Sequence, residues 1–239
     1  KALGDRREDV VIADKVSPEH LDADGIKEAC EGSLSRLETD YIDLYQVHWP
    51  NRDIPLEETI KALKKLKKKG KIRAIGVSNF GTQDLTDVLS HTHVVTDQLP
   101  YNLLFRAIEY HVQSTCVEND VEILCYCPLA QGLLTGKFTA PGQVPEGRAR
   151  TRHFSTNRPR AQHSEEGVER DAFQTLEKIK RICQEADVPV IQAALAWLLG
   201  RSGVGAVLPG ARTPEQIRTN ARASEVELTR EVFEQLTEA

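Results

Sequence analysis

Several side chains in this sequence stand where a fold could put them to chemical use. His48 follows the apolar run Ile42–Val47 in DYIDLYQVHWP. A histidine at the end of a buried strand can polarise or protonate a carbonyl oxygen near neutral pH. Lys15 follows Val10–Ala13 in the same way. A lysine turned into a packed interior is costly unless it is paired or put to use. Ser78 and Asn79 follow Ile72–Val77, and Gln98 closes Val94–Gln98. Their hydroxyl and amide groups suit a ligand that carries a carboxamide, although each also suits the start of a helix. Tyr126, just after Val121–Cys125, can stack on a planar ring. The plainer alternatives are a core histidine bonded to backbone, a lysine on the rim and a tyrosine packed at the edge.

Two loops suit phosphate. The first, PLAQGLLTGKF over Pro128–Phe138, joins Gly132, Gly136 and Lys137 after a strand. Backbone amides and a cation there can meet a pyrophosphate. It has neither the GxGxxG nor the P-loop spacing. The second is LPGARTPEQIRTN, Leu208–Asn220. Thr213 and Pro214 read as an N-cap and a first helical residue, and Arg212 beside that terminus suits a phosphate monoester. The segment Thr139–Gly167 is rich in Arg and His, as in GRARTRHFSTNRPRAQH. It predicts an irregular basic loop that closes over an anionic ligand or simply lies on the surface.

The elements that must carry these groups alternate. The pattern predicts strands at Val10–Ala13, Ile42–Val47, Ile72–Val77, Val94–Gln98, Val121–Cys125 and Val204–Leu208. It predicts helices at Asp22–Leu37, Leu56–Lys69, Thr82–Leu89, Ala107–Glu118, Asp171–Ala186, Ile191–Leu199 and Pro214–Ala223. The lysine-rich face of KALKKLKKKGK reads as solvated. Strands apolar on both faces, each followed by a helix, argue for a parallel α/β fold. No linker or change of composition divides the 239 residues, so a single domain is expected. The six strands fall short of an eight-stranded barrel. The opening KALGDRRED looks like the tail of a helix already under way, which favours a missing N-terminal piece over an open sheet.

Bulk properties narrow the choice of partner. A net charge of −5 and a pI near 5.9 do not favour nucleic acid or an anionic membrane. No apolar run approaches the roughly 20 residues of a membrane span. The five cysteines, with Cys125 and Cys127 on opposite faces of a strand, read as buried free thiols in a cytoplasmic protein rather than as a metal site or disulfide.

Together QVHWP, GKIRAIGVSNF, YCPLAQGLLTGKF and LPGARTPEQIRTN resemble the aldo-keto reductase superfamily, in particular the bacterial branch of inositol-operon and general-stress reductases. The resemblance implies a (β/α)8 TIM barrel, lacking here its first two βα units. It implies NADPH as cofactor, with NADH a weaker alternative, and hydride transfer to an aldehyde or ketone. It implies catalytic roles for Lys15 and His48 and a substrate contact at Trp49. Ser78, Asn79 and Gln98 would hold the carboxamide, and Tyr126 would stack on the nicotinamide. Pro128, Leu129, Gln131, Gly132 and Lys137 would form the pyrophosphate loop. Gly210, Arg212, Gln216 and Asn220 would hold the adenosine end, with Arg212 on the 2′-phosphate. The family's catalytic tyrosine and aspartate would lie upstream of Lys1. Asp14 stands where relatives often have Thr, Ser or Ala, and Gly210-Ala211 where many have a cationic or hydroxyl residue. The rival reading is a weakly active nucleotide-binding regulatory subunit like those of potassium channels. Metal sites are not expected, and the oligomeric state is open.

Overall fold

The computed structural model describes residues 3–239. It is an α/β fold with six parallel strands, and the chain packs as two compact units.

The first unit runs to Leu99 and includes Ile108–Leu124. It contains β1 (Ala13–Val16), α1 (Ala23–Leu37), β2 (Ile42–Val47), α2 (Leu56–Lys68), β3 (Ile72–Ser78), α3 (Thr82–His91), β4 (Thr96–Pro100) up to Leu99, α4 (Val112–Glu118) and the start of β5 (Glu122–Tyr126). Strands β1 to β4 lie side by side in chain order and pair in parallel. Both faces of β2 and β3 are buried, with Ile42, Leu44, Tyr45 and Val47 against Ile72, Ile75 and Val77. Helix α1 starts where the Asp22 carboxylate accepts from the Asp24 and Gly25 amides at 3.1 and 2.9 Å. Helix α2 buries Ile60, Leu63 and Leu66 and leaves its lysines exposed.

The second unit comprises Pro100–Ala107 and Cys125–Ala239. It holds the end of β5, α5 (Glu169–Glu185), α6 (Val190–Leu199), β6 (Val204–Leu208), α7 (Pro214–Ala221) and α8 (Arg230–Glu238). Helix α6 is apolar nearly all round, so Ala193–Leu198 are buried. Trp197 at its centre stacks on Phe233 of α8 at 6.2 Å, and its Nε1 donates to Thr237 Oγ1. Among the described residues no single helix is long and apolar enough to cross a membrane. Helices α5 and α6 reach that length only as a pair bent by 95°.

The structure corrects several expected boundaries. Strand β1 begins at Ala13, because its pairing with β2 starts at Ala13 opposite Leu44, so Lys15 lies within the strand. Likewise Gln98 lies inside β4, Ser78 ends β3 and Tyr126 ends β5. The expected helix Ala107–Glu118 is a 3-10 turn, Ala107–Tyr110, followed by α4, broken at His111 with φ −150°. Of KALGDRRED, residues 1 and 2 lie outside the described residues, and Gly4–Asp9 form a 3-10 helix. Cys127 has turned out of the strand at φ +53° and is exposed, whereas Cys30, Cys116, Cys125 and Cys183 are buried free thiols. Helix α8 was not expected at all.

Candidate active site

Strand register builds the first group. Lys15 pairs with Gln46 and Gln46 with Gly76. Val77 pairs with Asp97, which sets Gly76 level with Thr96. Paired residues of a parallel sheet share a face, and the face repeats every second residue. Lys15, Gln46, Gly76 and Thr96 therefore form one layer of a single face, and Ser78 and Gln98 the layer above it. His48 stands two residues beyond Gln46, where β2 has ended. Its amide donates to Val16 O at 3.0 Å and its side chain is exposed. Asp14 pairs with Tyr45 on the opposite face from Lys15. Trp49 is 48% exposed.

Hydrogen bonds tie these groups together. The Gln98 carbonyl accepts from Ser78 Oγ at 2.9 Å and from the Asn79 amide at 3.0 Å. Asn79 is left-handed, with φ +61°. That conformation brings its Nδ2 to the His48 carbonyl at 3.1 Å and to Ser78 Oγ at 3.0 Å. Positive φ in a non-glycine residue is uncommon and collects at functional sites. Below lies a buried polar pair, Gln46 and Thr96, in hydrogen-bond contact. On the opposite face of the sheet Asp97 is fully buried, and its Oδ1 accepts weakly from the Phe80 amide at 3.5 Å. Burial pushes this carboxyl up to about 8.

The second unit carries a cavity of about 920 Å³. Tyr126, Pro128, Leu129, Gln131, Gly132 and Lys137 line it from one loop, and Gly210, Arg212, Gln216 and Asn220 from the other. The structure thus gathers these candidates of the two phosphate loops around one space, with Gly136 outside its lining. The first loop is turned by successive left-handed residues, Ala130 at φ +45°, Gln131 at +56° and Gly132 at +102°. The Ala130 and Gly132 amides are engaged within the loop, by Cys127 O and Leu129 O. These two amides are thus already bonded within the loop, while Lys137 lines the cavity. In the second loop Thr213 caps α7 through Gln216 N, and Gln216 Oε1 accepts from Arg212 N at 2.8 Å. The first unit has a smaller cavity of about 230 Å³, lined by Val47, Asn51, Phe80 and Asp84 among others. None of the candidate residues lines it.

The cavity has two cations that no single-residue reading picked out. Arg148 and Arg150 come from the basic loop and line the cavity with Lys137 and Arg212. Among the described residues no Asp or Glu lines it. A side chain at Gly132 would place its Cβ 3.1 Å from Arg148 Nη1 and 3.7 Å from Lys137 Nζ. Partial desolvation, with the positive charges of Arg148 and Arg212, pushes the Lys137 ammonium below the usual lysine range. Like charges so crowded, without a carboxylate, fit a polyanion such as a dinucleotide with its pyrophosphate and ribose phosphate. Arg158 ties the loop down. It donates to Glu146 Oε1 at 3.3 Å, to Pro141 O at 2.8 Å and to Glu169 Oε1 through Nε at 3.1 Å. The other arginines of this run differ in role, since Arg152 is paired with Glu165. Among the described residues no cluster of three or more His, Cys, Asp or Glu is arranged to hold a metal.

Comparison with known proteins places the chain in a family. The model of the Aldo/keto reductase family matches residues 1–239. The chain is 36% identical over 220 residues to aldo-keto reductase YhdN of Bacillus subtilis, covering 89% of this chain and 64% of YhdN. It is 34% identical over 221 residues to the NADH-specific methylglyoxal reductase of Escherichia coli, covering 91% and 65%. It thus spans just under two thirds of the length of these two relatives. Among solved structures, the thermostable aldo-keto reductase Tm1743 superposes with a TM-score of 0.79 at 33% identity, covering 99% of this chain and 74% of that one. An aldo/keto reductase from Klebsiella pneumoniae in complex with NADP and acetate gives 0.75 at 34%, covering 99% and 72%.

Proposed function

The chain belongs to the aldo/keto reductase family, and from that premise we propose that it reduces an aldehyde or ketone to an alcohol with NADPH. The observation that carries the proposal is the carboxylate-free cavity ringed by Lys137, Arg148, Arg150 and Arg212. Such a ring is costly to assemble without an anion of several charges to neutralise it. NADPH, when bound, supplies a hydride to the carbonyl carbon.

The protein's own side chains do the rest. Lys137, Arg148 and Arg150 hold the pyrophosphate, and Arg212 holds the 2′-phosphate. Tyr126 offers its ring to the nicotinamide. Ser78, Asn79 and Gln98 grip the carboxamide. His48 orients and polarises the substrate oxygen, with Trp49 beside it. Lys15 favours proton delivery by lowering the pKa of the donor. In the family that donor is a tyrosine assisted by an aspartate. The six parallel strands fit a single (β/α)8 barrel domain of the inositol-operon and general-stress branch. Buried free thiols at Cys30, Cys116, Cys125 and Cys183 fit a cytoplasmic, reducing setting.

Calorimetric titration with NADPH and NADH, followed by loss of NADPH absorbance with a panel of small aldehydes, tests this reading. NADPH should bind more tightly than NADH, and at least one aldehyde should be turned over. Failure of both nucleotides to bind would discard the proposal. Binding without turnover of any carbonyl would favour the nucleotide-sensing alternative.

A further inference from the structure

Gln46 is the one amide in the buried strand Ile42–Val47, and it is wholly inaccessible to solvent. A buried amide must be hydrogen-bonded or it destabilises the fold. Gln46 meets that demand in two directions. Its Nε2 donates to Gln98 Oε1 at 3.2 Å, and its Oε1 accepts from Thr96 Oγ1 at 3.3 Å. Strand β3 runs between β2 and β4, so any side chain at Gly76 would stand in the way. A Cβ there would lie 2.4 Å from Thr96 Oγ1 and 3.0 Å from Gln46 Cγ. The bare backbone at Gly76 is therefore the slot through which Gln46 and Thr96 meet.

We propose that Gln46, held by Thr96 across Gly76, is the positioning residue that fixes which arm of the Gln98 amide faces the ligand. This rests on the NADPH reading. A planar amide carries its acceptor and its donors on opposite arms. With Oε1 turned to Gln46, Gln98 presents Nε2–H on the other arm, and its side chain makes no further hydrogen bond among the described residues. Its main chain is fixed as well, since Ser78 Oγ and the Asn79 amide both donate to the Gln98 carbonyl. A nicotinamide carboxamide must then offer Gln98 its oxygen. A half-turn of that group would set NH₂ against NH₂. Gln46 thereby selects one rotation of the carboxamide without touching the cofactor.

The test compares NADP⁺ with 2′-phospho-ADP-ribose, which keeps both phosphate sites and lacks the nicotinamide. Calorimetry on the parent protein, Gln46→Leu and Thr96→Val gives the readout. Gln46→Leu should weaken NADP⁺ about tenfold, the loss expected when one buried amide loses its fixed partner. It should leave 2′-phospho-ADP-ribose within about twofold. Thr96→Val, a nearly isosteric change, should weaken NADP⁺ about threefold with the same selectivity, and it keeps the test alive should Gln46→Leu fail to fold. Equal weakening of both ligands, or unchanged NADP⁺ binding in a folded variant, would overturn the positioning role. Failure of the parent to bind either ligand would instead remove the NADPH reading on which the role depends.

Discussion

Replacing Gly76 with alanine inserts one methyl group into the layer formed by Gln46, Gly76 and Thr96. The new Cβ would stand 2.4 Å from Thr96 Oγ1 and 3.0 Å from both Gln46 Cγ and Leu44 Cδ1. None of these neighbours is a flexible chain end in open space. Gln46 is fully buried, Thr96 is 7% exposed and Leu44 likewise. Thr96 is β-branched and stiff at χ1, so the Oγ1 escapes only by abandoning Gln46. Overpacking costs about 1–3 kcal/mol. Leaving the Gln46 oxygen without its donor costs about another 1–3 kcal/mol. The lower entropy of the unfolded chain returns about 0.4–1 kcal/mol. The net expectation is a destabilisation of about 2–4 kcal/mol, read as a lower urea midpoint at unchanged slope by circular dichroism. Thr96→Ala removes the atom in the way, so Gly76→Ala should cost at least about 1 kcal/mol less in that background, a coupling that a double-mutant cycle measures. The reasoning fails if Gly76→Ala lies within about 0.5 kcal/mol of the parent, or if its cost is the same in both backgrounds.

Other perturbations separate chemistry from binding and from folding. Lys15→Met and His48→Ala should each lower kcat about 100-fold or more while NADPH affinity stays within about threefold by calorimetry; parallel losses in both quantities would count against their catalytic roles. Arg212→Ala removes the charged partner assigned to the 2′-phosphate and should weaken NADPH about 10- to 100-fold, with NADH nearly unaffected. An unchanged NADPH/NADH ratio would move the phosphate elsewhere, to Lys137, Arg148 or Arg150. Asp97 gives a pH signature, because burial raises its carboxyl from 3.8 to about 8. The native state holds that proton over this window and the unfolded chain releases it, so stability falls as pH rises from near 4 to near 8 by at most about 1.4 kcal/mol per unit. Asp97→Asn should therefore stabilise the protein more at alkaline pH than at mildly acidic pH, and a gain independent of pH in thermal unfolding would contradict the raised carboxyl.

Much of the scaffold was legible because its physics is local. Strand β2 and strand β6 fall where the apolar runs predicted them, and α1 starts one residue inside its Asp22 cap. The errors share a cause, which is dependence on partners far away in sequence. Val10 and Val11 look like strand residues, yet the ladder with β2 begins only at Ala13. Ala107–Glu118 has a continuous helical pattern, but His111 breaks it and its carbonyl takes the Ser114 and Thr115 hydroxyls. Helix α8 is nine residues long and draws its stability from Phe233 and Thr237 against Trp197, a contact invisible in the local pattern. The candidate residues were recognisable because they close strands or fill recognisable loops. Arg148 and Arg150 were not separable from Arg152 and Arg158, because an irregular loop has no period to show which arginines find a glutamate and which face a cavity. Gln46 did leave a signal, an amide where an apolar residue belonged, but only its neighbours across Gly76 reveal its use.

The bonds that Arg158 makes to Pro141, Glu146 and Glu169 bear on the thermodynamics of capture. They join both ends of the segment that carries Arg148 and Arg150 before any ligand arrives. The conformational entropy of ordering that segment is then charged to folding and not to association. Binding of an anion should accordingly proceed with a modest heat-capacity change, unlike the large negative value that accompanies coupled folding of a disordered lid. Loosening the knot would move the same entropy cost onto the binding step and shorten the lifetime of the complex.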